Sequence, residues 1–169
     1  IIFVWTQRLC NWKLIRVVET MSILFINGSP EKEGNTARLA RALLAGHDYV
    51  TYELADHKIY DYGQHFADDE FDELLAQFRA ADTIVIGSPV YWHDLSGMLR
   101  NMLDRFYGPV EEGSMAGKRL FFLFQGAAPT EEMLHRGEFT MSRFASLYGM
   151  EYMGMATNEG EARSLAASI

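Results

Sequence analysis

Two loops in the sequence combine the residue types that bind a phosphate and a flat ring. Residues 28–36 (GSPEKEGNT) follow an apolar run and open a predicted helix, and they are rich in glycine and hydroxyl groups. Residues 87–92 (GSPVYW) follow a second apolar run and place a rigid proline beside two large aromatic side chains. Phosphate at the first loop and an aromatic ring at the second together describe a bound mononucleotide.

The first loop is interpreted as a phosphate cradle. The side chains of Ser29, Asn35 and Thr36, with backbone amides at a helix N-terminus, favour a dianion. The loop is neither G-x-G-x-x-G nor a Walker loop, because Asn35 follows Gly34 where a Walker loop continues with Lys. It holds no cysteine, which excludes the thiolate chemistry of a small tyrosine phosphatase. The alternative is an ordinary strand-to-helix turn with Asn35 as the helix cap.

The second loop does not fit two other kinds of site. A response regulator needs a phosphoacceptor Asp where this chain has Gly87 and Ser88. Ser88, His93 and Asp94 are close in sequence, but Ser88 precedes Pro89 and lacks the G-x-S-x-G elbow that exposes a nucleophile. We therefore do not predict a hydrolase triad.

The aromatic side chains of the second loop have a structural alternative to ligand contact. Tyr91 and Trp92 could be core residues, and His93 and Asp94 could simply start the next helix. In that case Asp94 or Ser96 would cap the helix.

Composition limits the classes of protein that this chain can be. Its 169 residues suit one domain, and 15 basic against 23 acidic residues give a net charge of −8, which argues against nucleic-acid binding. No apolar run approaches the length that spans a bilayer. A single cysteine, Cys10, excludes a disulfide framework and a multi-cysteine metal site, so we predict no metal and a cytoplasmic location.

The first 20 residues are predicted to be an upstream extension outside the domain. Ile1 is not a start residue, and the apolar segment precedes its basic residues, the reverse of a signal peptide. Met21 stands directly before the first convincing strand and is the expected natural start. The alternative is an extra strand or helix that packs on the domain.

Residues 21–169 alternate strands with helices, which is typical of a parallel sheet covered on both faces. Strands are predicted near residues 22–27, 49–54, 83–87, 120–124 and 150–156. Helices are predicted near residues 35–45, 95–106, 130–148 and 161–169, the third of these interrupted at Gly137, and a further helix is predicted to bury Phe71, Leu74, Leu75 and Phe78. Right-handed crossovers give a flavodoxin-like α/β three-layer sandwich, a five-stranded parallel sheet of order 2-1-3-4-5. Its switch point lies between strands one and three, where both loops emerge.

These loops resemble those of the NAD(P)H-dependent FMN reductase family of flavodoxin-like flavoproteins. The matching segments are NGSP at residues 27–30, GNT at residues 34–36, SPVYW at residues 88–92 and the helix with Asp104 and Arg105. Their order and spacing cover the chain from Met21 to about Gly154. The single Lys32 lies between Glu31 and Glu33, so phosphate binding requires both carboxylates to face solvent.

The resemblance implies a cofactor site and a reaction. Ser29, Asn35 and Thr36 would hold the FMN phosphate, residues 89–92 would contact the isoalloxazine, and Gln125 with Gly126 would approach its pyrimidine side. The predicted cofactor-binding residues are Ser29, Lys32, Asn35, Thr36, Pro89, Val90, Tyr91, Trp92, Gln125 and Gly126. Hydride would pass from NAD(P)H through FMN to a small acceptor, such as a quinone, an azo or nitro compound or a flavin, in a homodimer or higher homo-oligomer.

No side chain need act as an acid or a base in this chemistry, because the cofactor carries it. His93 and Tyr91 are candidates to tune the ring or to meet the acceptor. One alternative is a flavodoxin-like electron carrier without NAD(P)H oxidase activity, although the first loop lacks the T-x-T-G-x-T pattern of a flavodoxin. The other is a flavin-free interaction domain on the same scaffold.

Overall fold

A single parallel sheet forms the centre of the molecule. A computed structural model describes residues 22–169, and the extension predicted for residues 1–20 lies outside them. The strands are β1 (Ile23–Asn27), β2 (Val50–Glu53), β3 (Thr83–Pro89), β4 (Arg119–Gln125) and β5 (Glu151–Ala156). They are ordered β2-β1-β3-β4-β5 and all pairs are parallel, so the predicted flavodoxin-like fold is confirmed.

In the part of the chain that the structure describes, five α-helices cover the two faces of the sheet. They are α1 (Asn35–Leu43), α2 (Phe71–Ala80), α3 (Gly97–Phe106), α4 (Glu131–Tyr148) and α5 (Glu159–Leu165). The apolar clusters place α1 and α5 on one face and α2, α3 and α4 on the other. Within residues 22–169, no helix combines the length and the apolar character needed to cross a bilayer.

The alternation of side chains along β1 explains this three-layer arrangement. Leu24 and Ile26 pack with the cluster under α2, α3 and α4, whereas Ile23 and Phe25 pack with the cluster under α1 and α5. The central strands are buried on both faces, which accounts for their continuous apolar sequences.

Phe106 joins the three helices on one face. Its ring lies 5.0 Å from Phe78 of α2 and 5.1 Å from Phe144 of α4, measured between centroids, and both contacts are edge-on. Such pairs contribute about 0.5–1.5 kcal/mol beyond the burial of their area. This cluster fixes α3, and α3 in turn fixes the loop that precedes it.

The predicted break in α4 at Gly137 is wrong, since α4 is one continuous helix of 18 residues. Gly137 is buried against the ring of Phe124, and a Cβ at this position would lie 2.4 Å from Phe124 Cε1. The glycine is therefore present to let the helix approach the sheet, not to end it.

The predicted closing helix at residues 161–169 also needs correction. It begins earlier, because Asn158 caps α5 by accepting a hydrogen bond from the Glu161 amide at 3.1 Å. A short 3-10 turn (Ala166–Ser168) completes the described chain.

Candidate functional site

Three turns meet at the carboxyl edge of the sheet. We call residues 28–34 the first turn, residues 90–96 the second turn and residues 126–130 the third turn. The amide of Gly28 donates to the carbonyl of Gly87 at 2.8 Å, and the amide of Val90 donates to the carbonyl of Gln125 at 2.8 Å. Backbone hydrogen bonds therefore join the first loop to the second, and the second loop to the end of β4, directly before the third turn.

The first turn is shaped by hydrogen bonds within it. Asn27 Oδ1 accepts from the Ser29 amide at 3.1 Å, and Ser29 Oγ accepts from the Glu31 amide at 3.1 Å. Asn27 Nδ2 also donates to Glu53 Oε2 at 2.8 Å. Ser29 is consequently buried in a defined conformation below the start of α1.

The start of α1 has no side-chain cap. Gly34 occupies the cap position without a side-chain hydrogen bond, and the exposed Asn35 instead accepts from Arg38 Nη1 at 3.2 Å. The alternative reading of Asn35 as the cap is therefore wrong. The first amides of a helix have no partner within the helix, so the start of α1 retains donors for an anion. Thr36 is fully buried in this first turn of the helix.

Two charged side chains of the first turn, those of Glu33 and Lys32, form ion pairs with residues outside that turn. Glu33 is 87% exposed and pairs with Arg41 at 2.9 Å, as phosphate binding requires. Lys32 forms an ion pair with Asp56 after β2, and this contact raises the pKa of the Lys32 ammonium. The role of Lys32 in cofactor binding stays a prediction.

The second turn reverses sharply between Tyr91 and Asp94. These two residues exchange backbone hydrogen bonds of 3.0 and 3.1 Å, and the central residues Trp92 and His93 have φ values of 48° and 67°. Positive φ at both central positions is the signature of a type I′ turn, usually occupied by Asn and Gly. Trp92 is 95% exposed and Tyr91 45% exposed, so the reading of both as core residues is wrong.

Two buried serines hold the second turn through hydrogen bonds of their hydroxyl groups. Ser88 Oγ accepts from the Ser96 amide at 2.9 Å. Ser96 Oγ caps α3 by accepting from the Leu99 amide at 3.3 Å, and it donates to the carbonyl of Gly28 at 2.6 Å. Ser96 is thus the helix cap and a link to the first turn.

The third turn lies close to both of the others. Gln125 Nε2 donates to Thr36 Oγ1 at 3.4 Å, which connects the end of β4 with the cradle. A Cβ at Gly126 would lie 3.0 Å from Val90 Cβ, so glycine allows the second and third turns to approach. The structure therefore brings Thr36, Val90, Gln125 and Gly126 together, and their contact with a cofactor stays a prediction.

Two clefts adjoin at Gly126. The apolar cleft has a volume of about 330 Å³ and is lined by Val90, Trp92, His93, Gly126, Ala127, Ala128, Pro129 and Met133. The polar cleft has a volume of about 390 Å³ and is lined by Asn35, Arg38, Leu39, Gln125, Gly126, Thr157, Asn158, Glu159 and Arg163. One cleft suits a flat ring, and the other offers charged and hydrogen-bonding groups.

Sequence reasoning missed the arginines of the polar cleft. Arg38 Nη2 contacts Glu159 Oε1 at 2.9 Å, and Arg163 Nη1 contacts Glu159 Oε2 at 3.1 Å. The two guanidinium groups lower the pKa of Glu159. Their position depends on the packing of α5 beside α1, which no local pattern encodes.

Comparisons with known proteins agree with this geometry. Residues 21–153 match the family model described as NADPH-dependent FMN reductase. An iron-sulfur flavoprotein of Methanocaldococcus jannaschii is 33% identical over 99 residues, which cover 50% of this chain and 51% of that protein. An NADPH azoreductase of Bacillus sp. is 30% identical over 87 residues, covering 50% of this chain and 49% of that protein. The chain thus spans about half the length of these relatives.

Solved structures share the fold. A flavone reductase superposes with a TM-score of 0.70 at 18% identity, covering 88% of this chain and 62% of that one. An NADH:FMN oxidoreductase in its apo form superposes with a TM-score of 0.60 at 21% identity, covering 88% of this chain and 86% of that one.

Proposed function

Because the chain belongs to the NADPH-dependent FMN reductase family, we propose that it transfers hydride from NAD(P)H through bound FMN to a small acceptor. The observation that carries this proposal is the junction of three turns at one sheet edge. There an uncapped helix start, a buried hydroxyl and an apolar cleft lie side by side. The resemblance recognised in the sequence is confirmed, whereas the roles of single residues are proposals.

The residues present fit FMN. Ser29 and Thr36 place buried hydroxyl groups at the start of α1, where amide donors and the helix dipole favour a phosphate dianion. Val90, Trp92 and Gly126 border a cleft whose lining is mostly apolar, as a flat ring requires. Gln125 lies between these two regions and can donate to polar atoms of the ring.

FMN, when bound, supplies the acceptance and donation of hydride. The protein orients the ring by the rigid segment at Pro89 and by the close approach of Gly126 to Val90. The exposed ring of Trp92 lies at the open side of the apolar cleft, where it can contact an incoming nicotinamide or acceptor. Tyr91 and His93 stay candidates for tuning the flavin or meeting the acceptor.

A flat, open cleft favours aromatic or conjugated acceptors. We propose a quinone, an azo or nitro compound or a free flavin as the acceptor class. An NADPH azoreductase is among the relatives, and this similarity, which covers about half of each chain, supports an azo compound as the acceptor.

We also propose a homodimer in a cytoplasmic setting. Exposed apolar side chains, Tyr62, Tyr107 and Leu147, border a groove of about 310 Å³ between the end of α3 and α4. A second copy of the chain would cover them. Sedimentation of the wild type and of Tyr107→Glu tests this, since the variant should sediment as a monomer if this face forms the dimer.

An absorbance spectrum of the purified protein is the direct test of the function. We expect a flavin spectrum that extraction identifies as FMN, tighter reconstitution by FMN than by FAD, and bleaching on addition of NADH or NADPH. A carrier would instead resist NAD(P)H and would accumulate one-electron-reduced flavin during stepwise chemical reduction. Preferential binding of FAD, or no binding of flavin, would contradict the proposal.

A further inference from the structure

A second group of ligand side chains lies away from the three turns, beside β2 and the start of α2. His57, Glu70 and Glu73 each bring one nitrogen or oxygen atom within 4.8 Å of the others. His57 follows a 3-10 turn (Leu54–Asp56) after β2, and the two glutamates flank the first residues of α2. The sequence predicts no metal site on the ground of its single cysteine, and 13 residues separate His57 from Glu70.

Hydrogen bonds already orient two members of this cluster. His57 Nδ1 lies 3.2 Å from Glu70 Oε1, and Glu70 Oε2 accepts from the Lys58 amide at 2.6 Å. Glu73 is exposed and has only a long contact, 3.4 Å, from Gln77 Nε2, so its side chain can turn toward the other two.

The hydroxyl of Tyr52 is an independent sign of a ligand here. Tyr52 is 2% exposed, and within residues 22–169 its hydroxyl has no hydrogen-bond partner. Its ring stacks on His57 with centroids 4.0 Å apart and an angle of 17° between the planes. This stacking places the Tyr52 side chain directly beside the imidazole of the cluster.

A buried hydroxyl donor without a hydrogen-bond partner destabilises the folded state. A ligand held by the cluster would give the Tyr52 hydroxyl an acceptor. It would also offset the charge of two neighbouring carboxylates.

We propose that His57, Glu70 and Glu73 bind a divalent transition-metal ion of the zinc class. One imidazole nitrogen and two carboxylate oxygens are ligands that zinc accepts, and three protein ligands leave a fourth position for water. The Tyr52 hydroxyl hydrogen-bonds that water or a ligand carboxylate. Mg²⁺ and Ca²⁺ prefer oxygen donors alone, so the histidine favours zinc over them.

The ion would tie the segment after β2 to α2. That segment also contacts α3, since Asn101 Nδ2 donates to the Ile59 carbonyl. His57 and Ile59 line a cavity of about 420 Å³ together with Gly97 and Met98. The metal therefore fixes one wall of this cavity and needs no part in the flavin chemistry.

Calorimetric titration of the full chain with Zn²⁺ tests the site. We expect one ion per chain bound at the cluster, and a Co²⁺ ligand-field spectrum typical of four-coordination when cobalt replaces zinc. Glu73→Gln should lower the zinc affinity by at least about tenfold. Asp72→Asn is the matched control, because it removes a neighbouring charge of α2 and should leave the affinity unchanged.

Two further variants separate a metal site from an ordinary hydrogen-bonded cluster. His57→Gln should abolish the Co²⁺ spectrum, and Tyr52→Phe should weaken zinc binding severalfold while leaving the metal-free fold intact by circular dichroism. Absence of zinc binding, or equal affinity in the wild type, Glu73→Gln and His57→Gln, would overturn the site. Unchanged affinity in Tyr52→Phe would overturn the part given to the hydroxyl.

Discussion

The starts of α1 and α3 lie side by side at the carboxyl edge of the sheet, yet they use their backbone donors in opposite ways. Ser96 closes the start of α3 by capping the Leu99 amide and by donating to the carbonyl of Gly28. The start of α1 has only Gly34 at the cap position and no side-chain hydrogen bond. One helix start is satisfied within the protein, and the other is left for a ligand.

This difference shows how two similar turns divide their tasks. The second turn is held by internal hydrogen bonds, so it can project Tyr91 and Trp92 outward from a fixed base. The first turn keeps amides available, so an anion there gains the helix dipole as well as hydrogen bonds. Substitutions at the start of α3, which we call the closed start, should alter stability. Substitutions at the start of α1, which we call the open start, should alter cofactor affinity.

Gly87→Ala should damage both turns and give the largest effect. A Cβ there would lie 2.5 Å from Thr36 Cγ2 and 3.0 Å from the Phe25 ring. We expect the free energy of unfolding to fall by about 1–3 kcal/mol, with weaker FMN binding because Thr36 must move. Urea unfolding of the FMN-free protein and FMN titration measure these effects. Gly97→Ala is the control, since nothing lies within 4 Å of a Cβ at that position.

Thr36→Val should act on the open start alone. The substitution keeps the shape of the side chain and removes the buried hydroxyl, so FMN binding should weaken by roughly 1–3 kcal/mol for a hydrogen bond to a charged group. Unfolding of the FMN-free protein should change little. Thr36→Ser should retain affinity, and equal FMN affinity in Thr36→Val and the wild type would refute the cradle.

Ser96→Ala should act on the closed start. Loss of the cap and of the bond to Gly28 should lower the free energy of unfolding by about 1–2 kcal/mol. FMN affinity, measured under conditions in which the variant is folded, should fall less than in Thr36→Val. Thr130→Ala removes the cap of α4, where Thr130 accepts from the Met133 amide, and should cost less because the site is exposed. A larger loss of FMN affinity than of stability in Ser96→Ala would reverse the comparison.

Trp92→Gly should separate the contribution of the Trp92 ring to NAD(P)H oxidation from its contribution to stability. Glycine adopts a φ of 48° without strain, and Trp92 buries almost no surface, so FMN-free stability should stay the same or rise by about 0.5 kcal/mol. The rate of NAD(P)H oxidation per bound flavin should fall. Trp92→Asn is the control, because asparagine tolerates this backbone but lacks the ring. A loss of several kcal/mol in stability with unchanged turnover would show a core role.

Glu53→Gln should give the smallest effect. Glu53 accepts a hydrogen bond from Asn27, and Asn27 in turn supports the first turn by accepting from the Ser29 amide. Burial raises the pKa of Glu53, while the Asn27 hydrogen bond lowers it, with a net rise above 4.5. The stability that this group contributes is therefore present below pH 4.5 and is lost as the pH rises through the folded-state pKa. Glutamine resembles the protonated form, so the variant should be at least as stable as wild type near neutral pH. Unfolding curves across this pH range should converge at low pH.

Much of the architecture could be predicted because the spacing of apolar residues in the sequence matches the residues that are buried in the structure. The apolar runs of β3 and β4 and the stripe of α3 each had one plausible interpretation, and the switch-point rule then located both loops. The sequence offered Asp94 and Ser96 as alternative caps of this helix, and the structure selects Ser96.

The remaining features depend on contacts distant in sequence. The partners of Arg38 follow from α5 packing beside α1, and the His57 cluster follows from the path between β2 and α2. Trp92 and His93 carry no sequence signal for a type I′ turn, because this turn usually contains Asn or Gly. Gly137 indicates a break because glycine has a low helix propensity. In the structure its small size instead lets α4 approach the ring of Phe124.

Gly137 lies in α4, beyond the third turn in the sequence, and packs closely against Phe124, which lies just before that turn. The geometry of the third turn therefore depends on the residue at position 137. Phe124 immediately precedes Gln125, so any side chain at position 137 would push on the strand end that carries a predicted flavin contact. An alanine there would favour the helix by about 1 kcal/mol on propensity alone. Helix propensity would thus favour alanine at position 137, whereas the orientation of Gln125 toward the cofactor favours glycine. The glycine found there keeps the short distance between α4 and the sheet.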